Sequence, residues 1–187
     1  CIGAQFFIIQ LAVLVITTTD RLIIIQFFGP EHVTFYEIVL KLFSVITIAH
    51  GLISAPLWSA YTEAYQNNEI EWIRKMLRKQ LLIFIVFVLI IAMLVTIASL
   101  IIEFWIGENI RIPTQLIIAM GVFVAVSIWN NIFAMFINGI GKIQIQLYAA
   151  VIAMLVNIPI SIYLIKNTEL GISGVIAGAC FSLALAA

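Results

Sequence analysis

Four charged side chains interrupt the long apolar runs at the start of this 187-residue sequence: Asp20, Arg21, Glu37 and Lys41. On insertion scales, a charge at the centre of a membrane-spanning helix costs on the order of 2.5–3.5 kcal/mol. The two pairs flank the turn dipeptide Gly29-Pro30, so an antiparallel helical hairpin brings them to similar depth. Glu37 and Lys41 also stand in the favourable i,i+4 order. The spacing therefore predicts a small ionic cluster in the outer half of a membrane.

Two interpretations of this cluster are open. In the first, the charges pair with one another or reach the outer interface, and they only hold the hairpin together. In the second, Asp20 or Arg21 faces a water-filled cavity and handles a proton, a sodium ion or an anionic substrate. Two adjacent opposite charges are unusual inside a span, which keeps the functional interpretation in consideration.

Polar amides in later apolar runs are further candidates. Asn130 and Asn131 lie together in the middle of a run, where they either line a cavity or join helices by hydrogen bonds. Asn157 with Pro159 indicates a broken helix, a feature that transporters place near binding sites. The sequence thus offers candidate residues in four separate apolar runs.

Composition defines the class of protein. Hydrophobic residues make up 64% of the chain and charged residues 10%, against about 25% charged residues in soluble domains. The net charge of zero argues against nucleic acid binding, which needs a basic excess. GxSxG and HExxH motifs are missing, and two histidines do not suffice for a metal cluster. We therefore expect a membrane protein that is not an enzyme and has no cofactor.

The uncharged runs predict an all-α integral membrane protein with a bundle of about six transmembrane helices. Pro56 is expected to kink or end the second span. The region 63–79 is predicted as an amphipathic cytoplasmic loop. Because the chain begins at Cys1 and is still apolar at Ala187, we expect a piece of a longer protein. The six spans are expected at about residues 3–28, 33–62, 80–103, 113–138, 143–165 and 171–187.

The basic residues predict the orientation. Lys and Arg accumulate in the cytoplasmic loops of membrane proteins. The loops on one side carry Arg74, Lys75, Arg78, Lys79 and Lys142, and those on the other side carry Arg111 and Lys166. This imbalance places the first set, and with it the N-terminus of the chain, in the cytoplasm.

Several short motifs follow one another in a familiar order. They are Thr19-Asp20-Arg21-Leu22-Ile23-Ile24, Phe28-Gly29-Pro30-Glu31-His32-Val33 with Tyr36 and Lys41-Leu42, Ala55-Pro56-Leu57-Trp58-Ser59-Ala60, and Gly171-Ile172-Ser173-Gly174-Val175-Ile176-Ala177. This order resembles the polysaccharide flippases of the MATE-like (MOP) transporter superfamily, the O-antigen or Wzx-type exporters. The likeness covers most of the chain and corresponds to the second of two six-helix lobes.

The resemblance implies one lobe of a two-lobe, alternating-access transporter in the bacterial inner (cytoplasmic) membrane. Its substrate would be a lipid-linked oligosaccharide, such as an undecaprenyl-pyrophosphate-linked O-antigen or polysaccharide repeat unit. Coupling to H⁺ or Na⁺ is implied, with Asp20 as the ion site and Arg21 and Lys41 as contacts to anionic substrate. The expected partners are this substrate, membrane lipids and the missing N-terminal lobe, with no nucleic acid.

Other functions remain as alternatives. A cation or drug exporter of the same superfamily would share the fold and the charged hairpin. A non-transporting scaffold subunit would use the charges only for pairing. A membrane-embedded transferase is disfavoured, because no acidic cluster stands at a cytoplasmic span end.

Overall fold

The computed structural model describes residues 2–107 and 112–185, and in these ranges the chain is helical without a strand. The side chain of Ile2 is also outside the described part. Seven helices follow one another: α1 (Ile2–Phe28), α2 (Pro30–Ser54), α3 (Leu57–Gln66), α4 (Ile70–Ile106), α5 (Thr114–Gly139), α6 (Ile143–Asn167) and α7 (Ser173–Leu185).

Five segments are long and apolar enough to cross a membrane, and α2 and α3 together form one of them. The all-α membrane fold predicted from the uncharged runs is confirmed. The sixth predicted span corresponds to α7, which has 13 residues. At ~1.5 Å per residue this is ~20 Å, less than the ~30 Å of a bilayer core.

Gly and Pro residues end the helices as their chemistry requires. Gly29 joins α1 to α2 with a φ of 94°, a conformation that a side chain would strain. Pro56 separates α2 from α3, since it cannot donate the next helical hydrogen bond. The turn between α5 and α6 uses Gly141 with a φ of 76°. These turns fold the apolar runs into antiparallel neighbours.

The predicted loop at 63–79 is mostly helix. Its first residues complete α3, and the basic stretch from Ile70 onward forms the first turns of the 37-residue α4. The charged stretch after Glu71 and the apolar run that follows it belong to one continuous helix, so no loop separates them. Glu103 also lies within α4, whereas Glu108 and Arg111 lie outside the described residues.

The expected break in the fifth span was wrong, because α6 runs continuously through Asn157 and Pro159. Pro159 removes one backbone donor from the helix. Membrane helices tolerate this loss where neighbouring helices hold the backbone. Helix α6 packs along both α1 and α7, and those contacts keep it continuous.

The helices are arranged around α5, which contacts α2, α3, α4, α6 and α7. Its inward residues, among them Met120 and Ile128, are buried in the same apolar core as Phe43 of α2. The outer face of α4 is apolar, with Leu82, Leu89 and Met93 each about two-thirds exposed. An apolar exposed face of this kind suits contact with lipid.

Candidate functional site

Asp20 faces the interior of the bundle. It belongs to a buried stripe on α1 that includes Ile16, Ile23 and Ile24, at the spacing of one helix face. Its side chain is 3% exposed and faces the amide of Asn157 on α6. A carboxyl group buried between two membrane helices is a candidate site for a proton or cation.

Polar atoms around Asp20 lack ordinary hydrogen bonds. In the described part of the chain, Asp20 Oδ1 and both amide atoms of Asn157 are buried without a partner. Each orphaned group costs about 1–3 kcal/mol. Tyr36 of α2 and Cys180 of α7 lie near the carboxyl group. This set of polar groups is expensive to maintain in a membrane core, which makes it a candidate functional site.

Close packing of α6 on α7 completes this region. A Cβ atom at Gly178 would contact the hydroxyl oxygen of Ser161 and lie 2.9 Å from its Cα. The Ser161 hydroxyl donates to the carbonyl oxygen of Val175 at 3.4 Å. Asn157 and Ser161 are one turn apart on α6 and both are fully buried. Small residues thus let α7 approach the polar face of α6.

Arg21, the next residue after Asp20, points to a different environment. Its Nε donates to Glu37 Oε1 of α2 at 2.6 Å, and the two side chains are 42% and 30% exposed. This ion pair joins α1 to α2, as the predicted charge cluster requires. Within the described ranges, Glu37 has no such contact with Lys41, so the predicted i,i+4 pair does not form.

Lys41 is exposed on the same hairpin. It lines a cavity of about 390 Å³ with Glu37 and Thr34 of α2 and with Trp105 of α4. The four predicted charges therefore divide into a buried carboxyl group, a half-exposed ion pair and an exposed cation. Asp20 does not join the ionic cluster that the sequence predicted, since it lies on the inward face of α1.

Asn130 and Asn131 line a second cavity of about 410 Å³, bounded by α1, α5, α6 and α7. The amide nitrogen of Asn130 donates to the carbonyl oxygen of Leu183 at 3.1 Å. Asn131 Oδ1 accepts a 3.0 Å bond from the hydroxyl of Ser54. Both residues thus have helix-joining bonds and also border a cavity, so the two interpretations of this pair are compatible.

Oxygen and nitrogen groups near Asp20 suit a proton or a hard monovalent cation. A carboxylate and an amide oxygen are the donors that such cations prefer. In the part of the chain that the structure describes, no three His, Cys, Asp or Glu residues gather as a transition-metal site. We therefore place the candidate ion site at Asp20 and Asn157, separate from the exposed cations of the hairpin.

The juxtaposition of Asp20 with Asn157 is the feature that sequence reasoning missed. Both residues are polar interruptions of apolar runs, and Asn157 precedes Ser161 by one turn. That signal marks the polar face of α6. It does not reveal which helix the face meets, because α1 and α6 are far apart along the chain.

The described helices have the length and composition of a multi-pass membrane protein, and the bundle contains a buried carboxyl group and a cavity bordered by two amide side chains. The MatE family model matches residues 6–163, and the chain belongs to this family of membrane transporters. The superfamily predicted from the motif order is thereby confirmed.

A Salmonella typhimurium (strain LT2) protein named "Putative O-antigen transporter" is 24% identical to this chain over 185 residues. The alignment covers 98% of the chain and 43% of that relative, so the chain spans less than half of its length. No solved structure matches the chain.

Proposed function

We propose that the full-length protein moves a lipid-linked oligosaccharide across the bacterial inner membrane by alternating access, coupled to H⁺ or Na⁺ at Asp20. The described chain would form the C-terminal lobe of that transporter, with its N-terminus in the cytoplasm. The observation that carries the proposal is the buried Asp20 carboxyl group facing Asn157 inside a MatE-family bundle.

Ion binding at Asp20 would change the balance between two arrangements of the helices. A carboxylate buried without full hydrogen bonding is costly, and a bound proton or Na⁺ removes that cost. Because Asp20 lies between α1 and α6, the presence of the ion would favour their close contact. Loss of the ion would favour an arrangement in which water reaches the carboxylate. This difference in stability is what couples an ion gradient to alternating access.

The exposed charges of the hairpin supply the second part of the proposal. Lys41 lies 11 residues after Pro30, about 16 Å along α2 at ~1.5 Å per residue. An exposed cation at such depth is unfavourable in lipid. We therefore place the α1–α2 face, with Lys41 and the Arg21–Glu37 pair, against the missing lobe, where the two lobes would enclose the substrate path.

The chemistry of this face suits an anionic glycolipid. Arg21 and Lys41 would attract a pyrophosphate or acidic sugars, since charge-assisted hydrogen bonds to phosphate are strong. The relative from Salmonella typhimurium bears an O-antigen name, which favours a saccharide substrate over other anions.

The test uses the full-length protein in proteoliposomes that contain a fluorescent pyrophosphate-linked saccharide. We expect Lys41→Ala to slow flipping while the protein still folds and inserts. Lys166→Ala, which removes an exposed cation at the end of α6, is the matched control and should flip as the wild type does. Equal flipping by both variants would remove Lys41 from the substrate path.

A cation or drug exporter of the same superfamily is the second candidate. The family match favours it as much as sugar-lipid transport, and a buried carboxyl group such as Asp20 also suits a cationic substrate. Export of cationic dyes by the same proteoliposomes separates the two functions. Dye export without saccharide flipping would support the second candidate. The absence of both activities would support a scaffold subunit.

A further inference from the structure

The cavity between α1, α5, α6 and α7 lies directly in line with Asp20. On α1, the cavity is bounded by Ile9, Ala12 and Ile16, which continue toward Asp20 at helical spacing. On α6, Gln146, Ala150 and Ala153 continue in the same way toward Asn157. The two helices thus carry matched faces, with the cavity at one end and the buried polar pair at the other.

One helical turn separates the cavity from the candidate ion site. Ile16 precedes Asp20 by four residues, and Ala153 precedes Asn157 by four, which is about 6 Å of rise on each helix. Ile16 is 8% exposed and Ala153 is 1% exposed. These two side chains form the layer between cavity and site, and the small Ala153 leaves this layer thin.

The opposite end of the cavity reaches the side of the bundle that carries the basic residues. Ile137 and Ile145 line it there, and they flank the turn between α5 and α6. Lys142 lies in that turn. Between Ile145 and Ala153 the cavity follows α6 for about 12 Å at ~1.5 Å per residue.

Polar groups inside the cavity can hold water. Gln146 Oε1 has no hydrogen-bond partner within the described ranges, and Asn130 and Asn131 each have bonds to spare. The volume of about 410 Å³ exceeds that of several water molecules, each of which takes ≈ 30 Å³ in the liquid. A buried water needs two to four polar partners, and Ser127 adds one more to this group.

We propose that this cavity is a water-filled vestibule through which a proton or Na⁺ passes between Asp20 and the basic side of the bundle. The Ile16–Ala153 layer is the barrier that must open for each passage. This inference rests on the proposed ion site and adds the route and the side from which the ion exchanges.

Cysteine labelling of the full-length protein in oriented vesicles tests the route. A membrane-impermeant, cationic methanethiosulfonate should modify Ala150→Cys from the basic side and not from the opposite side. Leu155→Cys is the matched control, since it is 64% exposed on the outer face of α6 and should contact lipid. Labelling of both cysteines alike, or of Ala150→Cys from neither side, would overturn the vestibule.

A second variant separates this inference from the ion site itself. Ala153→Leu should fill the inner end of the cavity and slow gradient-driven transport. Na⁺ or protons added from the side opposite the basic loops should still protect this variant against thermal unfolding. Asp20→Asn should lose both properties. If Asp20→Asn loses gradient-driven transport but Ala150→Cys is not labelled, only the vestibule is contradicted. If Asp20→Asn keeps normal gradient-driven transport, the ion site itself is contradicted.

Discussion

Asp20 and Arg21 are neighbours in sequence, yet they lie on different faces of α1. Asp20 is buried and faces Asn157 of α6, whereas Arg21 is half-exposed and binds Glu37 of α2 at 2.6 Å. Successive residues on a helix differ by about 100° in direction, which makes this division possible. One end of α1 therefore connects the interior candidate ion site with the exposed charged face of the hairpin.

The Arg21–Glu37 pair should behave as one unit in a charge exchange. We expect Arg21→Glu or Glu37→Arg alone to lower the yield of folded protein, because each places two like charges together. The double exchange should recover much of that loss. Since both side chains are partly exposed, the coupling should be on the order of 1 kcal/mol or less. A double-mutant cycle of thermal stability in detergent measures it, and additive effects would argue against the pair.

Replacing Asn157 by an apolar residue should stabilise the protein and abolish its transport. Asn157→Leu removes two buried amide atoms that lack hydrogen bonds. The free energy of unfolding should therefore rise by about 1–3 kcal/mol. Gradient-driven transport should be lost at the same time, because the amide that faces Asp20 is gone. Asn167→Leu, at the exposed end of α6, is the control and should change transport little. A stable Asn157→Leu variant with normal transport would remove Asn157 from the site.

Gly178 should tolerate no side chain. A Cβ atom there would lie 2.9 Å from Ser161 Cα and 3.0 Å from its backbone nitrogen, so α7 must move away from α6. We expect Gly178→Ala to destabilise the lobe by about 1–3 kcal/mol, as overpacking does. Gly51→Ala in α2 meets nothing within 4 Å and should be neutral or stabilising by up to ~1 kcal/mol. Equal melting temperatures would contradict this packing.

The sequence was sufficient to predict the fold class, because it depends on local properties. Uncharged runs define spans, and Gly29 and Pro56 end helices through their own backbone limits. The predicted hairpin charges also came together in part, since Arg21 and Glu37 flank one short turn. Such short-range relationships follow from helix geometry alone.

Long-range relationships could not be read in the same way. The meeting of Asp20 with Asn157 depends on how α1 docks on α6, and the polar stripe on each helix fits several partners. The continuity of α6 through Pro159 likewise depends on α1 and α7 holding its backbone. The candidate ion site therefore emerged only from the three-dimensional arrangement.

Gradient-driven flipping by Asp20→Asn in full-length protein tests the account most directly. Proteoliposomes with an imposed H⁺ or Na⁺ gradient should flip a pyrophosphate-linked saccharide faster than those without one. Losing an ionic contact worth about 1.5–3 kcal/mol should reduce that response roughly 10- to 140-fold in Asp20→Asn. The control Glu31→Gln, the same kind of change at an exposed acid, should respond as the wild type does. An undiminished gradient response in Asp20→Asn at normal expression would contradict ion coupling at Asp20.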